Sequence, residues 1–231
     1  MSDRFRTSDW PTTEAAAVAV QDALRGSVLG SGPALDTLAL AAGLDVAYDT
    51  GSDLLAGAVV VVDTATLETV AEATVVGRAA FPYVPGLLAF REIPVLVDAL
   101  NRLAVRPDVL VCDGYGLAHP RRVGLACHLG VLTGLPAVGV AKTPFVGRPA
   151  AEPDARRGAT VDLLDSGELI GRALHTQDGV KPVYVSIGHR IDLDTACALT
   201  LGLTTRYRQP ETTRRADRAC RSALGTALGH G

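Results

Sequence analysis

Val109-Leu110-Val111-Cys112-Asp113 is a run of four apolar residues that ends in an aspartate. An uninterrupted apolar run of this length is typical of a strand buried on both faces, as in a parallel sheet. A second such run, Ala137-Val138-Gly139-Val140-Ala141, follows a helical stretch from Val123 to Leu132. The order of strand, helix and strand predicts a parallel pair joined by a crossover helix.

Three β-rich segments precede this unit, and short turns separate them. They are Leu44–Tyr48, Ala58–Val62 and a segment from about Thr69 to Val76. Short turns between successive strands indicate an antiparallel meander. The sequence therefore predicts an α/β fold with one mixed sheet, in which an antiparallel meander is followed by parallel strands and helices flank the sheet.

The other elements are predicted from helical spacing and from turn residues. One helix should span about Thr12 to Val28, and another Leu87 to Leu103, where Pro94 should kink the helix or open a second segment. Residues 147–167, rich in Gly, Pro and charge, are predicted to form a surface loop. A hairpin and a helix are expected to complete the domain: Leu169–Ala173 with Val183–Ile187, then a helix from about Asp194.

The composition indicates one domain outside the membrane. A chain of 231 residues, 48% of them apolar, is long enough for one large core, so residues 1–231 are expected to form a single domain. No stretch approaches the roughly 20 apolar residues of a membrane span, and residues 1–6 lack the apolar core of a secretory signal. The four cysteines are scattered, as expected in a reducing compartment. We expect a cytoplasmic monomer that does not bind membranes.

The net charge of −3 does not by itself suggest nucleic acid, because non-specific DNA binders are usually basic. Any phosphate contact must come from a local cluster of cations. Arg121-Arg122 is one candidate, since arginine forks match phosphate oxygens. The other is the run from Arg206 to Arg221, which acidic residues interrupt and which we interpret as ordinary solvated surface.

Carboxylates near strand ends are the informative chemical feature. Asp45 lies inside an apolar strand, where an unpaired carboxylate is costly to bury, and Asp113 ends a predicted parallel strand. Either aspartate alone would be a turn or cap residue, but two near the ends of neighbouring strands favour a divalent cation. Glu92, on the helix that must cover this sheet, would supply a third carboxylate, although glutamate on a helix is more commonly solvated.

Two further groups are expected at the same sheet edge. His119 follows the Asp113 loop and could move protons or position a water near neutral pH. Lys142 ends the next buried strand, so its ammonium could stabilise charge that develops on a phosphate, although it could equally be a surface lysine. Three carboxylates, a histidine and a lysine at one edge indicate metal-assisted phosphoryl transfer, with one or two ions.

The chain resembles the bacterial endonuclease V family, the deoxyinosine 3′-endonucleases. The resemblance covers nearly the whole chain and rests on seven stretches: Ala42–Tyr48, Phe81–Glu92, Pro107–Asp113, Gly116–Arg122, Gly139–Lys142, Gly188–Arg190 and Pro210–Arg214. It implies an RNase H-like fold. It also implies Mg²⁺-dependent hydrolysis, with Mn²⁺ as a substitute, of the second phosphodiester bond 3′ to deoxyinosine. By this resemblance Asp45 and Asp113 are the main metal ligands and Glu92 completes the acidic centre.

The resemblance also implies how the damaged base is held. Tyr83, in Pro82-Tyr83-Val84-Pro85, resembles the family's wedge, which fills the space left by an extruded base; without the family, Tyr83 would be read as a buried turn residue. Positions that line the hypoxanthine pocket match Gly86, Leu88, Gly114 and Leu125. Arg121, Arg122 and His189 are taken as further substrate-binding residues.

The chain departs from the family pattern at two positions, and alternative functions stay open. Tyr115 stands at a position that the family varies, and Thr143 replaces a second lysine found in many relatives, which would weaken phosphate affinity. The expected partner is inosine-containing DNA, or RNA if the protein is an inosine-specific ribonuclease or another structure-specific nuclease of this fold. A non-catalytic nucleic-acid binder is disfavoured because all three carboxylates are present. A small-molecule α/β enzyme is disfavoured because no G-x-G-x-x-G follows the first strand.

Overall fold

The computed structural model describes residues 10–151 and 154–229, and these residues form one sheet of nine strands between layers of helices. The strand order is β3-β2-β1-β4-β5-β9-β8-β7-β6. The strands are β1 (Leu40–Tyr48), β2 (Leu54–Asp63), β3 (Thr69–Arg78), β4 (Val109–Asp113), β5 (Ala137–Ala141), β6 (Arg148–Pro149), β7 (Thr160–Asp165), β8 (Glu168–Leu174) and β9 (Val183–His189). The helices are α1 (Glu14–Arg25), α2 (Ala89–Arg102), α3 (Leu125–Thr133), α4 (Leu193–Gly202) and α5 (Glu211–Ala227).

The pairing confirms the predicted RNase H-like mixed sheet. Strands β1, β2 and β3 form an antiparallel meander. Strand β4 pairs in parallel with β1 on one side and with β5 on the other. In the parallel pair of β1 and β4, Leu44 lies opposite Cys112, so the next residues along, Asp45 and Asp113, lie side by side at one end of the sheet.

Alternation along the strands divides the buried side chains between two cores. On β2, Val59 and Val61 belong to a core with α2 and α3, whereas Val60 and Val62 belong to the core that contains α4 and α5. Because consecutive side chains of a strand point to opposite faces, both faces of the central strands can be apolar at once. The acidic end of β1 and β4 is therefore held between two helical layers.

Helix α2 continues through Pro94, so the predicted second segment does not form. Proline has no backbone N–H, and the carbonyl oxygen of Phe90, four residues earlier, loses its usual helical donor. The indole Nε1 of Trp10 donates a hydrogen bond of 2.7 Å to that oxygen instead. A side chain from before α1 thus stabilises the helix that carries Glu92.

Two segments differ from the sequence-based expectation. Residues 147–167 are not all loop, because they contain β6 and β7, and β7 pairs with β8. Strand β7 is near the edge of the sheet and only Leu163 is fully buried, so the polar content of the segment hid its alternation. The second difference is α5, a helix of 17 residues that begins within the arginine-rich segment and for which the sequence predicted no element; it buries Ala216, Cys220 and Leu224.

No helix among the described residues is long and apolar enough to cross a membrane. Residues 1–6, where the sequence shows no signal-like core, lie outside the described residues. The four cysteines are buried and unpaired, in agreement with their scattered spacing.

Candidate active site

The structure brings the three predicted carboxylates to one end of the sheet. Asp45 comes from β1, Asp113 ends β4, and Glu92 lies in the first turn of α2, where its Oε1 accepts a 2.6 Å hydrogen bond from the hydroxyl of Tyr48. Burial raises the pKa of Asp45 to about 7, and the neighbouring charge of Asp113 contributes. Burial also raises the pKa of Glu92 to about 8; the Tyr48 hydrogen bond partly offsets this, and Asp45 and Asp113 add to it. Negative charge is therefore crowded at this end of the sheet.

The donor set suits a hard divalent cation by its chemistry, because it consists of carboxylate oxygens whose mutual repulsion a cation would relieve. As the side chains stand, no three His, Cys, Asp or Glu residues within 10–151 and 154–229 are arranged to hold a metal ion. Protein donors engage all three carboxylates: Lys142 Nζ lies 2.8 Å from Asp113 Oδ2, Tyr48 donates to Glu92, and the backbone N–H of Val46 donates to Asp45 Oδ1 at 2.8 Å. Asp45, Glu92 and Asp113 thus remain predicted metal ligands.

Asp217 is a fourth acidic residue at this centre, and the sequence did not single it out. The charge of Asp217 raises the pKa of Asp45, so α5 places this carboxylate near Asp45 on β1. Arg221 pairs with it at 2.7 Å, one helical turn away. In sequence the two look like an ordinary surface pair spaced i, i+4. Only the packing of α5 against β1 reveals that this pair faces the acidic centre.

A groove of about 350 Å³ runs along α5 beside the acidic centre. Its walls combine acidic residues with four cations: Asp113, Lys142, Gln209, Thr213, Arg214, Asp217, Arg218 and Arg221. Three of these residues, Arg214, Arg218 and Arg221, come from the run interpreted as ordinary solvated surface, and the exposure of Arg218 and Arg221 is compatible with that interpretation. Helical periodicity, which the interrupted charge pattern concealed, places Arg214, Arg218 and Arg221 on one side of α5.

A second cavity, of about 400 Å³, opens on the other side of Asp113 and Lys142. All five residues predicted for the wedge and the base pocket line it: Tyr83, Gly86, Leu88, Gly114 and Leu125. Glu92, Asp113, His119 and Lys142 lie in the same wall. The structure therefore joins the predicted pocket to the predicted acidic centre in one continuous space.

Tyr83 stands at the rim of this cavity with 71% of its surface exposed. The reading from the local sequence alone, a buried turn residue, is wrong. The loop before it is nevertheless anchored, because Phe81 is buried against Phe90 and Arg91 Nη1 donates to the Phe81 carbonyl at 2.9 Å. An exposed aromatic ring on an anchored loop has the geometry expected of a wedge.

His119 lies at the cavity, but both of its ring nitrogens are engaged. Its Nε2 is 3.0 Å from the Gly86 carbonyl oxygen, and its Nδ1 accepts from the backbone N–H of Arg121 at 3.2 Å. A carbonyl can only accept, so the proton is on Nε2 and the ring is neutral. Burial, with Arg121 nearby, lowers the pKa of His119 to about 4. In this arrangement the ring supports the Gly86 loop; its predicted part in proton transfer remains a prediction.

The two arginines and His189 are not gathered at the acidic centre. Arg121 donates to Gln21 and to the Gly86 carbonyl and is not among the residues that line the cavity. Arg122 is buried, and its guanidinium pairs with Asp165 and Glu168, each at 2.8 Å, so it ties down the turn between β7 and β8. His189 lies opposite Ala137, at the far end of β5, roughly 13 Å from the end where Lys142 emerges.

Two aromatic residues, Phe145 and Tyr115, line the cavity although the sequence assigned neither of them to the site. Phe145 contacts the rings of both Tyr115 and His119, with centroid separations of 5.2 Å and 5.5 Å. The Tyr115 hydroxyl donates to the Thr143 carbonyl at 3.1 Å. Both variable positions, Tyr115 and Thr143, thus form part of the cavity wall. Phe145 lies four residues after the end of β5, and an aromatic residue so close to the end of a buried strand could have indicated a residue of the site.

Comparisons with known proteins agree with this architecture. The family model for Endonuclease V matches residues 23–218. Endonuclease V of Streptomyces avermitilis is 60% identical over 220 residues, covering 94% of this chain and 95% of the relative. Its crystal structure superimposes with a TM-score of 0.90, at 58% identity over 96% of this chain and 97% of that one. A Ciona intestinalis endonuclease V, crystallised with a DNA containing an inosine followed by a ribo-adenosine, is 28% identical over 92% of this chain and 98% of its own, with a TM-score of 0.82. The chain belongs to the endonuclease V family.

Proposed function

We propose that this protein is a DNA repair endonuclease that recognises deoxyinosine and hydrolyses the second phosphodiester bond 3′ to it in a Mg²⁺-dependent reaction. The observation that carries the proposal is the shared wall of the 400 Å³ cavity, where Glu92 and Asp113 stand beside an otherwise largely apolar space. A cavity of this volume is within the range that binds small molecules, so it can take an extruded base. Family membership supports the same activity.

The base-binding part of the proposal follows from the cavity. A base that leaves the helix loses its stacking, and the exposed ring of Tyr83 can take its place in the duplex. The extruded base would enter between the Gly86 loop and Gly114, with Phe145 and Tyr115 beside it. The apolar part of the wall would keep water from one side of the base, which would strengthen the polar contacts that the base makes there.

The chemical part of the proposal assigns roles to residues at the strand ends. Asp45, Glu92 and Asp113 would hold Mg²⁺, and Asp217 stands close enough to add its charge. Mg²⁺ bound there would supply Lewis acidity and an activated water. Lys142, held 2.8 Å from Asp113 and half exposed, can donate to a phosphate oxygen as charge develops on it. The arginines of the α5 groove can bind the phosphates of the strand next to the cut.

Inosine-containing RNA is the second candidate substrate. The Ciona relative is crystallised with an inosine followed by a ribo-adenosine, so that relative accommodates a ribonucleotide beside the lesion. DNA and RNA would bind the same cavity, since the base is identical. The 2′-hydroxyl groups along the strand distinguish them.

The test is cleavage of end-labelled strands of one sequence with deoxyinosine, deoxyadenosine or the RNA equivalent at the same position. We expect Mg²⁺-dependent cutting of the deoxyinosine strand, no cutting in EDTA, and a product end at the second phosphodiester 3′ to the lesion. Asp113→Asn should reduce the rate at least about 100-fold. Asp98→Asn, on the exposed side of α2, is the matched control and should cut normally. Equal cutting of all strands, or full cutting in EDTA, would contradict the proposal.

A further inference from the structure

Gln21 connects three segments around the cavity with one buried side chain. It lies on α1, is 1% exposed and lines the cavity wall. Its Nε2 donates to the carbonyl oxygens of Gly86, at 3.0 Å, and Val123, at 2.9 Å. Its Oε1 accepts from Arg121 Nε at 2.5 Å. Two carbonyl acceptors on one side and a guanidinium donor on the other fix the orientation of the amide, and every polar group of the side chain is satisfied.

The Gly86 carbonyl is the point at which these contacts converge. It accepts from Gln21 Nε2, from His119 Nε2 at 3.0 Å and from Arg121 Nη2 at 2.9 Å. An oxygen with two lone pairs is thereby saturated, so it points into the protein and is not available to read a base. Gly86 has a φ of +80°, and a Cβ there would come within 3.0 Å of Arg121 Nη2.

This carbonyl fixes the loop that carries Tyr83. Leu87 N–H donates to the Val84 carbonyl at 2.9 Å, so the turn containing Pro85 and Gly86 is a single unit. Tyr83 directly precedes that unit, and α2 with Glu92 directly follows it. The hydrogen bonds that fix the Gly86 peptide therefore also fix the position of the Tyr83 ring at the rim and the start of the helix that carries Glu92.

We propose that Gln21 is a positioning residue for lesion recognition, through which α1 fixes the Tyr83 loop against the cavity. The proposal rests on the proposed function for the identity of the ligand, an extruded hypoxanthine. Normal bases differ from hypoxanthine by a few polar atoms, and a cavity can reject them only if its walls do not adapt. Without the Gln21 amide, the Gly86 peptide could turn and the cavity would admit other bases.

The test compares Gln21→Met and Gln21→Glu with Asp22→Asn, an exposed neighbour on α1 that serves as the control. Methionine keeps the length and removes every hydrogen bond; glutamate keeps an acceptor for Arg121 but has no N–H for Gly86 and Val123. Affinity in EDTA is measured for an inosine duplex and for the same duplex undamaged. We expect the ratio of the two affinities to fall at least about tenfold in both Gln21 variants and to stay at the wild-type value in Asp22→Asn.

Amide hydrogen exchange of residues 82–88, in protein without DNA, is the second measurement. It should be faster in both Gln21 variants than in Asp22→Asn, and unchanged exchange would overturn the inference. Loss of affinity for both duplexes by one factor, with a lower Tm, would also overturn it, because that result describes a purely structural residue. If the wild type does not prefer inosine at all, the proposed function fails, while the exchange measurement still decides whether Gln21 holds the loop.

Discussion

The ring of Tyr83 lies at the mouth of the cavity, on a loop with prolines on both sides of it. Prolines on both sides of a tyrosine indicate a stiff turn, and a turn can bury or expose its ring with equal ease. The structure leaves the ring 71% exposed at the mouth of the cavity, where it contributes little to folding. The ring is therefore free to contact a molecule that enters the cavity.

Tyr83→Ala should impair lesion recognition much more than folding. Stacking of a base on an aromatic ring contributes about 1 to 3 kcal/mol, so affinity for an inosine duplex should fall about 5- to 150-fold. The loss should be smaller on single strands, where little stacking has to be replaced, and the Tm should change little. Binding and cleavage on both substrates, with calorimetry, provide the measurement. A similar loss on both substrates together with a lower Tm would contradict the wedge role.

The raised pKa values of Asp45 and Glu92 predict that the metal-free protein loses stability as pH rises toward about 8. In the folded protein these carboxyls keep their protons to about pH 7 and 8, whereas in the unfolded chain they lose them near pH 4. Between these values the folded state binds more protons, so the free energy of unfolding falls with rising pH. The Tm in EDTA should therefore fall as pH rises from about 5 to about 8, with the Asp45 contribution ending near pH 7 and that of Glu92 near pH 8.

Glu92→Gln is the informative comparison, because it removes the ionising group and keeps the shape. The Tm of this variant should depend less on pH than that of the wild type over the same interval. In the wild type, Mg²⁺ should raise the Tm more at pH 8 than at pH 6.5. Parallel curves for the two proteins would show that Glu92 ionises normally.

Elements of this fold depend on side chains that lie far away in sequence. Helix α2 contains a proline that should weaken it, yet it carries Glu92 into the site. Trp10 supplies the missing hydrogen bond at Phe90, and its ring stacks on the buried His128 of α3 with a centroid separation of 5.3 Å. One residue before the first helix thus joins two helices that flank the cavity.

Trp10→Phe should destabilise the protein by about 1 to 3 kcal/mol, because it leaves the buried Phe90 carbonyl without a donor. Pro94→Ala restores the helical N–H, so the same substitution should cost less in that background. Unfolding of the four proteins in urea, followed by circular dichroism, gives the coupling energy between the two positions. We expect a coupling of about 1 kcal/mol or more, and simple additivity would contradict the compensation.

At the scale of the whole molecule, most of the sheet could be predicted, but the edge formed by β6 and β7 and the last helix, α5, could not. The continuous apolar runs of β4 and β5 and the short turns of the meander carry strong local signals. Strand β7 and helix α5 are polar on their exposed sides, so their sequences also suit loop or surface. Asp45, Glu92 and Asp113 were found from strand ends and family resemblance, but Asp217 becomes visible only when α5 lies against β1.

The charge of the whole molecule also leads to a prediction, since a net charge of −3 makes the cations of the α5 groove important. Arg218→Ala should weaken binding to duplexes of any sequence and lower the slope of log affinity against log salt by about one. Preference for inosine should be unchanged, because Arg218 does not line the base cavity. Arg102→Ala, at the end of α2 remote from Glu92, is the control. A wild-type salt slope in Arg218→Ala would show that phosphates do not follow this groove.

The close contact between β1 and α5 has a consequence for the synthesis of the protein. A Cβ at Gly43 would come within 2.2 Å of the Thr212 backbone, so the first strand and the last helix nearly touch. A growing chain that has reached residue 209 contains Asp45 and Asp113, but it lacks Asp217, and the core around Val60 has nothing from α5 to cover it. The complete acidic centre therefore assembles only after nearly all of the chain has left the ribosome. A chain that ends before α5 would leave the apolar side chains around Val60 uncovered and its acidic centre without Asp217.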